Sequence, residues 1–385
     1  MKFAHLGDCH LGGWRFPEIQ ELNMQSFSQA LDVCIKEKVD MVLIAGDLFD
    51  SAYPPIEILK RTFAEFRKLK DAEIPCFLIA GSHDFSASGK TFLDVLEHAG
   101  FCSNIVQVEE RNDKLILKPT IFQNYAIYGY PGKKAGLEIP DLRRIIFDDA
   151  PGFFKIFMLH TALKEAIGNL PIDAVSMKEL PQADYYAMGH LHIDFCNNKF
   201  VYSSPIFPNN FEELEELKYG AFYIVEFDKI LRCRKIPIRL REVLVINLEL
   251  DNSITATEKI IKELDKEVLE DKIILLKLKG QFTNGKISDI RFNEIEQFVK
   301  NKKAYSFIKN ISKLSVEESQ IKIEAKDMHE VEDDIMHQYF EENPSKFGDK
   351  VPLLLKTLSI EKQEDEKNQI FNDRLLDELS KILNF

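Results

Sequence analysis

Residues 41–50 read MVLIAGDLFD, a stretch that joins an apolar segment to a turn carrying two carboxylates, Asp47 and Asp50. Residues 41–45 have the length and composition of a β-strand. Gly46 lets the backbone turn sharply after that strand and exposes the side chain that follows. The stretch therefore predicts an α/β fold with Asp47 at the carboxyl end of a strand, where sites form in open sheets.

Three further motifs are built in the same way, because each begins with a glycine where a strand-like apolar segment ends. They are Gly7-Asp8-Cys9-His10, Gly81-Ser82-His83-Asp84 and Gly189-His190-Leu191-His192. A single histidine, His160, follows another apolar segment at residues 157–159. Since the carboxyl ends of parallel strands share one edge of a sheet, we expect the polar side chains of all five segments to converge on one rim.

The order of strand-like and helix-like segments predicts how the chain is divided. Strands and helices alternate through about residue 210, which indicates a largely parallel sheet covered by helices. After that point strands mix with two helices in a smaller α+β region, and the end of the chain reads as helical. We therefore expect domains at residues 1–218, 219–325 and 326–385.

Composition and cysteine use indicate a globular cytoplasmic protein. The chain has 385 residues, of which 45% are hydrophobic, and no apolar run approaches the roughly 20 residues that a membrane span needs. The start of the sequence lacks the pattern of a signal peptide. Six cysteines are scattered without a CxxC pair and read as reduced thiols: Cys9, Cys34, Cys76, Cys102, Cys196 and Cys233.

Charge alone argues against broad affinity for nucleic acid. The net charge is −13, and residues 326–385 contribute 8 − 15 = −7 of it. A local basic groove remains possible, because the 219–325 region offers cations that either face phosphates or form an ordinary solvated surface. These are Lys277, Lys279, Lys286, Arg291, Lys300, Lys302 and Lys303.

The residue types in the motifs indicate metal chemistry. Mixed Asp and His ligands without a thiolate suit a first-row divalent ion such as manganese, iron or zinc. One carboxylate able to bridge, among several imidazoles, suits two ions about 3.5–4 Å apart, an arrangement that hydrolyses phosphate esters. A single GDxxD or GHxH motif is more often a helix-capping turn or a loop, so the prediction depends on the complete ordered set.

The ordered set Asp-x-His, Gly-Asp, Gly-x-His-Asp, single His and Gly-His-x-His resembles the calcineurin-like metallophosphoesterase superfamily. Residues 45–49 and 184–190, together with the two C-terminal regions, make the chain similar to the Mre-eleven/SbcD family of DNA-repair nucleases in its compact archaeal form. The resemblance implies a sheet sandwich flanked by helices, a small α+β domain that caps DNA, and a C-terminal helical region. It further implies exonuclease and endonuclease action at DNA double-strand breaks, two Mn²⁺ ions per chain, a Rad-fifty/SbcC-type ATPase partner and a nucleoid-associated location.

The resemblance also assigns roles by position. One ion would be held by Asp8, His10 and His192, and the other by His160, His190 and the residue at position 82, with Asp47 bridging and His83 acting on the scissile phosphate. The family usually has Asn at position 82, whereas this chain has Ser82, whose hydroxyl is a shorter and weaker ligand. The alternative is therefore a DNA-end-binding scaffold with weak catalysis.

Two apolar surfaces are expected to bind protein partners. Leu59 and Val95 match positions that pair chains into a homodimer in the resembled family. The last helix carries an apolar stripe that either packs on its own domain or docks onto the ATPase partner by the helix-in-groove mode. The stripe consists of Phe371, Leu375, Leu379 and Ile382.

Overall fold

The computed structural model describes residues 1–85, 91–168, 171–283, 285–316, 350–360, 362 and 368–383. The chain divides into two compact units, Met1–Val316 and Glu317–Phe385, and each is described by itself. The strands are β1 Lys2–Leu6, β2 Met41–Ala45, β3 Cys76–Ile79, β4 Ser103–Asn104, β5 Val108–Arg111, β6 Lys114–Leu117, β7 Thr120–Phe122, β8 Tyr125–Tyr130, β9 Ile145–Phe147, β10 Phe154–His160, β11 Tyr185–Gly189, β12 Asp194–Asn197, β13 Phe200–Ser203, β14 Gly220–Phe227, β15 Leu231–Ile238, β16 Val243–Glu249, β17 Ile273–Phe282 and β18 Ser306–Val316. The helices are α1 Pro17–Glu37, α2 Ile56–Asp71, α3 Leu93–His98, α4 Ile139–Leu142, α5 Lys164–Ile167, α6 Phe211–Leu217, α7 Ser253–Leu264, α8 Phe292–Asn301, α9 Val351–Leu358 and α10 Asn368–Leu383.

Two six-stranded sheets form the first unit's sandwich. Their strand orders are β15-β14-β1-β2-β3-β4 and β12-β13-β11-β10-β8-β7. Alternate side chains of β1 explain the layering: Phe3 packs into the core shared by the two sheets, while Ala4 and Leu6 pack against the residues of α1 and α2. The expected α/β fold, a metallophosphoesterase-like sheet sandwich flanked by helices, is confirmed.

The parallel strands place five strand ends on one edge of the sandwich. In the first sheet β1, β2 and β3 are parallel neighbours. In the second sheet β10 and β11 are also parallel neighbours. The segments that follow these five strands carry the motifs identified in the sequence, so the fold itself brings them together.

A third sheet, β16-β17-β18, packs with α7 and α8 around its own apolar core. The strand at residues 220–227, which the sequence analysis assigned to this region, instead pairs antiparallel with β1, and β15 follows it as the edge strand of the first sheet. The expected boundary at residue 219 therefore falls before two strands of the first sheet. The division into three domains stays a prediction.

The second unit is described through two helices, α9 and α10, which contact each other. Residues 326–349, the first part of the predicted helical region, lie outside the described residues. Among the helices of the described ranges, none has the length and apolar character that crossing a membrane requires.

Candidate metal centre

Three of the loops, those after β1, β2 and β11, have backbone conformations that are rare outside glycine. Asp8 (φ 50°), His10 (φ 43°), Asp47 (φ 50°), His190 (φ 104°) and His192 (φ 50°) all have positive φ. Such conformations cost free energy and are typical of functional sites, where the surrounding structure holds them. Here the Asp8 N–H donates to the Gly46 carbonyl (3.1 Å) and the His10 N–H to the Asp47 carbonyl (2.9 Å). The fold therefore accepts local strain to direct these side chains.

Two motif glycines are required by close approach of other groups. Gly46 has φ +84°, and a Cβ there would lie 2.3 Å from Nδ1 of His160. A Cβ on Gly189 would lie 2.2 Å from the carbonyl oxygen of Ala45. Both distances are shorter than any real contact, so an alanine at either position would displace a side chain or backbone of the site.

The first ligand group consists of Asp8, His10 and His192. One ligand atom from each lies within 4.8 Å of the others. Nε2 of His10 is 3.0 Å from Nε2 of His192, which in turn lies 3.7 Å from Oδ1 of Asp8. Two imidazole nitrogens and a carboxylate that converge in this way fit a divalent cation of the first transition row.

The second ligand group consists of Asp8, Asp47 and His160, again with ligand atoms within 4.8 Å of one another. Nδ1 of His160 donates to the Ala45 carbonyl (2.9 Å), so Nε2 is the nitrogen that can become an acceptor once its proton is displaced. That Nε2 is fully buried, lies 3.0 Å from Oδ2 of Asp47 and has no aligned hydrogen-bond partner. A buried acceptor beside two carboxylates fits a cation.

Two further predicted residues lie next to this second group. The His190 ring lies 5.1 Å from the ring of His160, centroid to centroid, and the His190 N–H donates to both oxygens of Asp8 (2.9 and 3.0 Å). Oγ of Ser82 lies 3.4 Å from Oδ2 of Asp47. All seven residues expected to bind metal are therefore brought to one rim.

Asp47 belongs to the second group and also lies near the first. Its Oδ2 is 3.0 Å from His160 Nε2 and 3.7 Å from His10 Nε2, while its Oδ1 accepts the His83 N–H (2.8 Å). Burial opposes ionisation, but His160 and His10 hold the pKa of Asp47 well below its usual range. Its carboxylate therefore faces histidines of both groups.

The carboxylates keep two of the histidines protonated when no cation is bound. Burial alone would lower the pKa of His160, but Asp47 and Asp8 raise it to about 10. Burial likewise opposes protonation of His192, whereas Asp8 and Glu213 raise its pKa to about 9. A cation must displace these protons, so metal affinity should increase with pH through the neutral range.

His83 lies at the opening of the site, with its side chain 48% exposed. Its Nδ1 donates to the backbone carbonyl of Asp50 (2.9 Å), which leaves Nε2 free for a substrate. The Asp50 carboxylate lies 3.1 Å from Nδ1 of His10 and orients that ligand. No definite role for Asp50 follows from the sequence alone, whereas this contact gives it one.

Two further carboxylates, Glu213 and Asp84, support the loops of the site. Oε1 of Glu213 lies 2.9 Å from Nδ1 of His192 and fixes the orientation of that ring. Asp84 accepts the N–H groups of Phe49 (3.1 Å) and Gly81 (2.9 Å), and so joins two of the ligand loops. Burial, and then the nearby Asp47, raise the pKa of Asp84 to about 6. In sequence Glu213 reads as the first turn of a capped helix, with no sign that it contacts a ligand.

Comparison with known proteins identifies this arrangement. The family model described as calcineurin-like phosphoesterase matches residues 1–194, a segment that contains every motif residue named above. The chain belongs to this family. Further similarity extends beyond the matched domain: the DNA double-strand break repair protein Mre11 of Sulfolobus acidocaldarius is 25% identical over 353 residues, covering 88% of this chain and 90% of that protein. The protein of the same name from Methanocaldococcus jannaschii is 27% identical over 289 residues, covering 71% and 76%. The resemblance inferred from the motifs is confirmed.

Most of the basic residues predicted in the 219–325 region lie beside carboxylates. Five of the seven predicted cations have carboxylate partners. The pairs are Lys277 with Glu215, Lys279 with Glu249, Arg291 with Glu258 and Glu294, Lys302 with Asp265, and Lys303 with Glu270. These pairs favour the solvated-surface interpretation for those five residues.

Proposed function

We propose that this phosphoesterase is a DNA nuclease that acts at double-strand breaks in the cytoplasm, on the nucleoid. The proposal depends on one observation above all: two ligand groups share Asp8, Asp47 of the second group lies 3.7 Å from His10 of the first, and an accessible His83 lies beside them. Such a pair of sites serves phosphodiester hydrolysis. The DNA substrate is inferred from the similarity to archaeal Mre11 proteins over most of the chain.

In this proposal each chain holds two Mn²⁺ ions. Asp8, His10 and His192 would hold one ion, and His160, His190 and Ser82 the other, with Asp47 between them. When bound, such ions supply Lewis acidity that polarises the phosphate and neutralises its negative charge. The protein orients the ligands through Asp50, Glu213 and the Ala45 carbonyl, so little reorganisation is needed when substrate arrives.

His83 would act on the scissile phosphate. Its Nδ1 is held by the Asp50 carbonyl at 2.9 Å, so the ring has a fixed orientation although its other edge is open. Nε2 can then hydrogen-bond a phosphate oxygen or give a proton to the leaving oxygen. The region of residues 219–325 would cap DNA ends over this opening.

The decisive assay measures hydrolysis of linear duplex and single-stranded DNA by the purified chain with Mn²⁺, Mg²⁺, Zn²⁺ or a chelator. A nuclease requires metal-dependent release of nucleotides or internal cuts. The scaffold alternative requires binding of DNA ends without turnover under every metal condition. Repeating the assay with a Rad-fifty/SbcC-type ATPase tests whether that partner stimulates cutting.

Ser82→Asn is expected to tighten the second ion site. An amide oxygen reaches further than the serine hydroxyl, which now lies 3.4 Å from Oδ2 of Asp47. We expect about a 10-fold gain in Mn²⁺ affinity, a change typical of one improved contact at a metal site. This affinity is measured by titrating Mn²⁺ and recording the rate of DNA hydrolysis at each concentration. If affinity and rate both stay at parental values, Ser82 does not limit the site.

A homodimer would form through an apolar groove between α2 and α3. Leu59 and Val95 both line this groove, together with Ile56, Phe63 and Phe92. Ile56 is 80% exposed and Val95 45% exposed in the single chain. Grouped apolar side chains of this kind commonly mark a protein interface.

Leu59→Asp is expected to give a monomer. In a two-fold interface the same change occurs on both surfaces, so two unpaired carboxylates would be desolvated together. The dimer dissociation constant should rise by about 100-fold or more. Light scattering over a concentration series measures it, with Lys70→Asp, an exposed position of the same helix, as the control. A Leu59→Asp chain that remains dimeric at the parental affinity would place the interface elsewhere.

The C-terminal helices would bind the ATPase partner. In the second unit Leu353, Leu355, Leu358 and Leu376 are more than half exposed, although α9 and α10 contact each other. The stripe residues Phe371, Leu375, Leu379 and Ile382 are half-buried. Apolar surface left exposed by the helical pair supports docking into a groove of another protein.

The double change Phe371→Ala and Leu375→Ala is expected to weaken association with the ATPase by about 100-fold or more, because an aromatic anchor and its aliphatic neighbour typically dominate such interfaces. Calorimetric titration against the ATPase measures it. Asn372→Ala with Asp373→Ala, both exposed on the same helix, is the matched control. Metal-dependent hydrolysis by the double variant should stay unchanged, and parental affinity for the ATPase would exclude the stripe as the docking surface.

A further inference from the structure

The edge strands of the two large sheets meet on one side of the sandwich. β15 is the edge of the first sheet and β12 the edge of the second. Lys235 on β15 forms an ion pair with Asp194 on β12, Nζ to Oδ2 2.6 Å. The hydroxyl of Tyr223, on the neighbouring β14, donates to the other oxygen of Asp194 (2.7 Å). Polar contacts therefore already join the two sheets at this edge.

Two cysteines continue this contact. Cys196 lies two residues after Asp194 on β12. Cys233 lies two residues before Lys235 on β15. Residues two apart on a strand point to the same side, so Cys196 lies opposite Cys233 just as Asp194 lies opposite Lys235. This placement brings the two thiols close enough that each shifts the pKa of the other.

This pair differs from the remaining cysteines in accessibility and reactivity. Cys196 is exposed and Cys233 is half-buried, whereas Cys9, Cys34, Cys76 and Cys102 are buried. The hydrogen bond from Cys233 lowers the pKa of Cys196 to about 7, against the opposing effect of burial. Burial raises the pKa of each of the four buried thiols. Thiolate character and exposure are what make a cysteine reactive.

We propose that Cys196 and Cys233 form a reversible disulfide that joins the edges of the two sheets when the chain meets a low-molecular-weight disulfide oxidant. Transient disulfides of this kind occur in otherwise reducing compartments, where they respond to redox conditions.

The reaction is a two-step exchange. The Cys196 thiolate attacks one sulfur of the oxidant, forming a mixed disulfide and releasing one oxidant thiolate. The negative charge beside Cys233 is then gone, so Cys233 loses its proton to solvent more readily and attacks the Cys196 sulfur. That step releases the second oxidant thiolate. Two protein thiols are oxidised, the oxidant disulfide is reduced to two thiols, and a reducing dithiol reverses the change.

The position of the pair determines what oxidation would do. The bond would close a loop of residues 196–233 and link two sheets that share one apolar core. Only Ile193 separates His192 from β12, so the bond would also fix the strand that follows this ligand. The proposal does not depend on the proposed nuclease function, since the covalent state of the thiols can be read directly.

The test uses the full chain with oxidised glutathione, followed by alkylation with N-ethylmaleimide and mass spectrometry under non-reducing conditions. We expect the chain to lose two hydrogens, peptide mapping to join Cys196 to Cys233, and the melting temperature to rise by roughly 5 °C. Dithiothreitol should reverse all three changes.

Variants distinguish the steps. Cys233→Ser should accumulate glutathione on Cys196, because the second attack is impossible, and Cys196→Ser should remain unmodified at Cys233. Cys102→Ser should behave like the parent. A parental chain that keeps glutathione on Cys196, or that links two chains through Cys196, would overturn the proposal.

Discussion

Asp47→Ala is expected to lower metal-dependent DNA hydrolysis by about 10³-fold or more, which corresponds to about 4 kcal/mol of transition-state stabilisation. The reason is that Asp47 faces histidines of both ligand groups, with Oδ2 3.0 Å from His160 Nε2 and 3.7 Å from His10 Nε2. Loss of this carboxylate removes a ligand that both ions would share. It also removes the acceptor of the His83 N–H, so the loop that carries His83 loses an anchor.

Metal content separates a failure of binding from a failure of chemistry. Elemental analysis after dialysis should find about two manganese ions per parental chain and fewer than one in Asp47→Ala, because a dinuclear site needs its bridge. Asp251→Ala changes an exposed carboxylate outside the site and should keep the parental metal content. If the Asp47 variant keeps both ions as tightly as the parent, the assignment of Asp47 as the bridge is wrong.

The convergence of the motif residues on one rim could be predicted from the sequence, because each motif has a recognisable local pattern. Asp8 and Asp47 each follow a glycine at the end of an apolar strand, and parallel strands deliver their ends to the same edge. The glycines belong to the same sequence pattern for a physical reason. A side chain at Gly46 would overlap His160. Residue type, position along the strand and backbone conformation therefore agree at each motif.

The supporting contacts could not be predicted in this way, because they depend on pairings between distant parts of the chain. Glu213 reaches His192 from α6, and the local sequence around it would look the same if it faced solvent. The strand at residues 220–227 gives the same pattern whether it joins the first or the third sheet. In the structure this strand pairs with β1, with Lys2 opposite Glu226, so the paired residues are more than 200 positions apart in sequence. Only tertiary packing can fix the register of such a distant pairing.

The net charge of the sequence predicts DNA binding only in part. The net charge of −13 is consistent with the absence of a broad basic surface among the described residues of the α+β region, where most of the predicted cations are already paired with carboxylates. The buried acids of the site contribute to the same total, although Asp8 and Asp47 would be offset by bound cations. The net charge of the whole sequence counts all acidic residues alike. It cannot distinguish surface acids that repel DNA from site acids that would bind the cations to which DNA is attracted.

His83→Ala is the prediction that tests how the site acts on phosphate. We expect the turnover number to fall by about 10²–10⁴-fold, the range typical for loss of one acid–base group, while both ions remain bound. The metal should stay because His83 is half-exposed at the opening and, among the described residues, takes part in only one candidate ligand group, with His10 and Asp50. The Michaelis constant should change much less than the turnover number, since the lost contact would act mainly in the transition state.

His98→Ala is the matched control for this change. His98 is also exposed, and its Nδ1 also donates to a backbone carbonyl, that of Asp94 at 2.7 Å, but it lies on α3 and not among the ligand loops. Parental turnover in His98→Ala with a large loss in His83→Ala would assign the effect to the position of His83 and not to the general loss of a surface imidazole. Loss of one ion in His83→Ala would instead make this residue a ligand. Parental turnover in His83→Ala would leave proton transfer and phosphate contact to the other side chains of the rim.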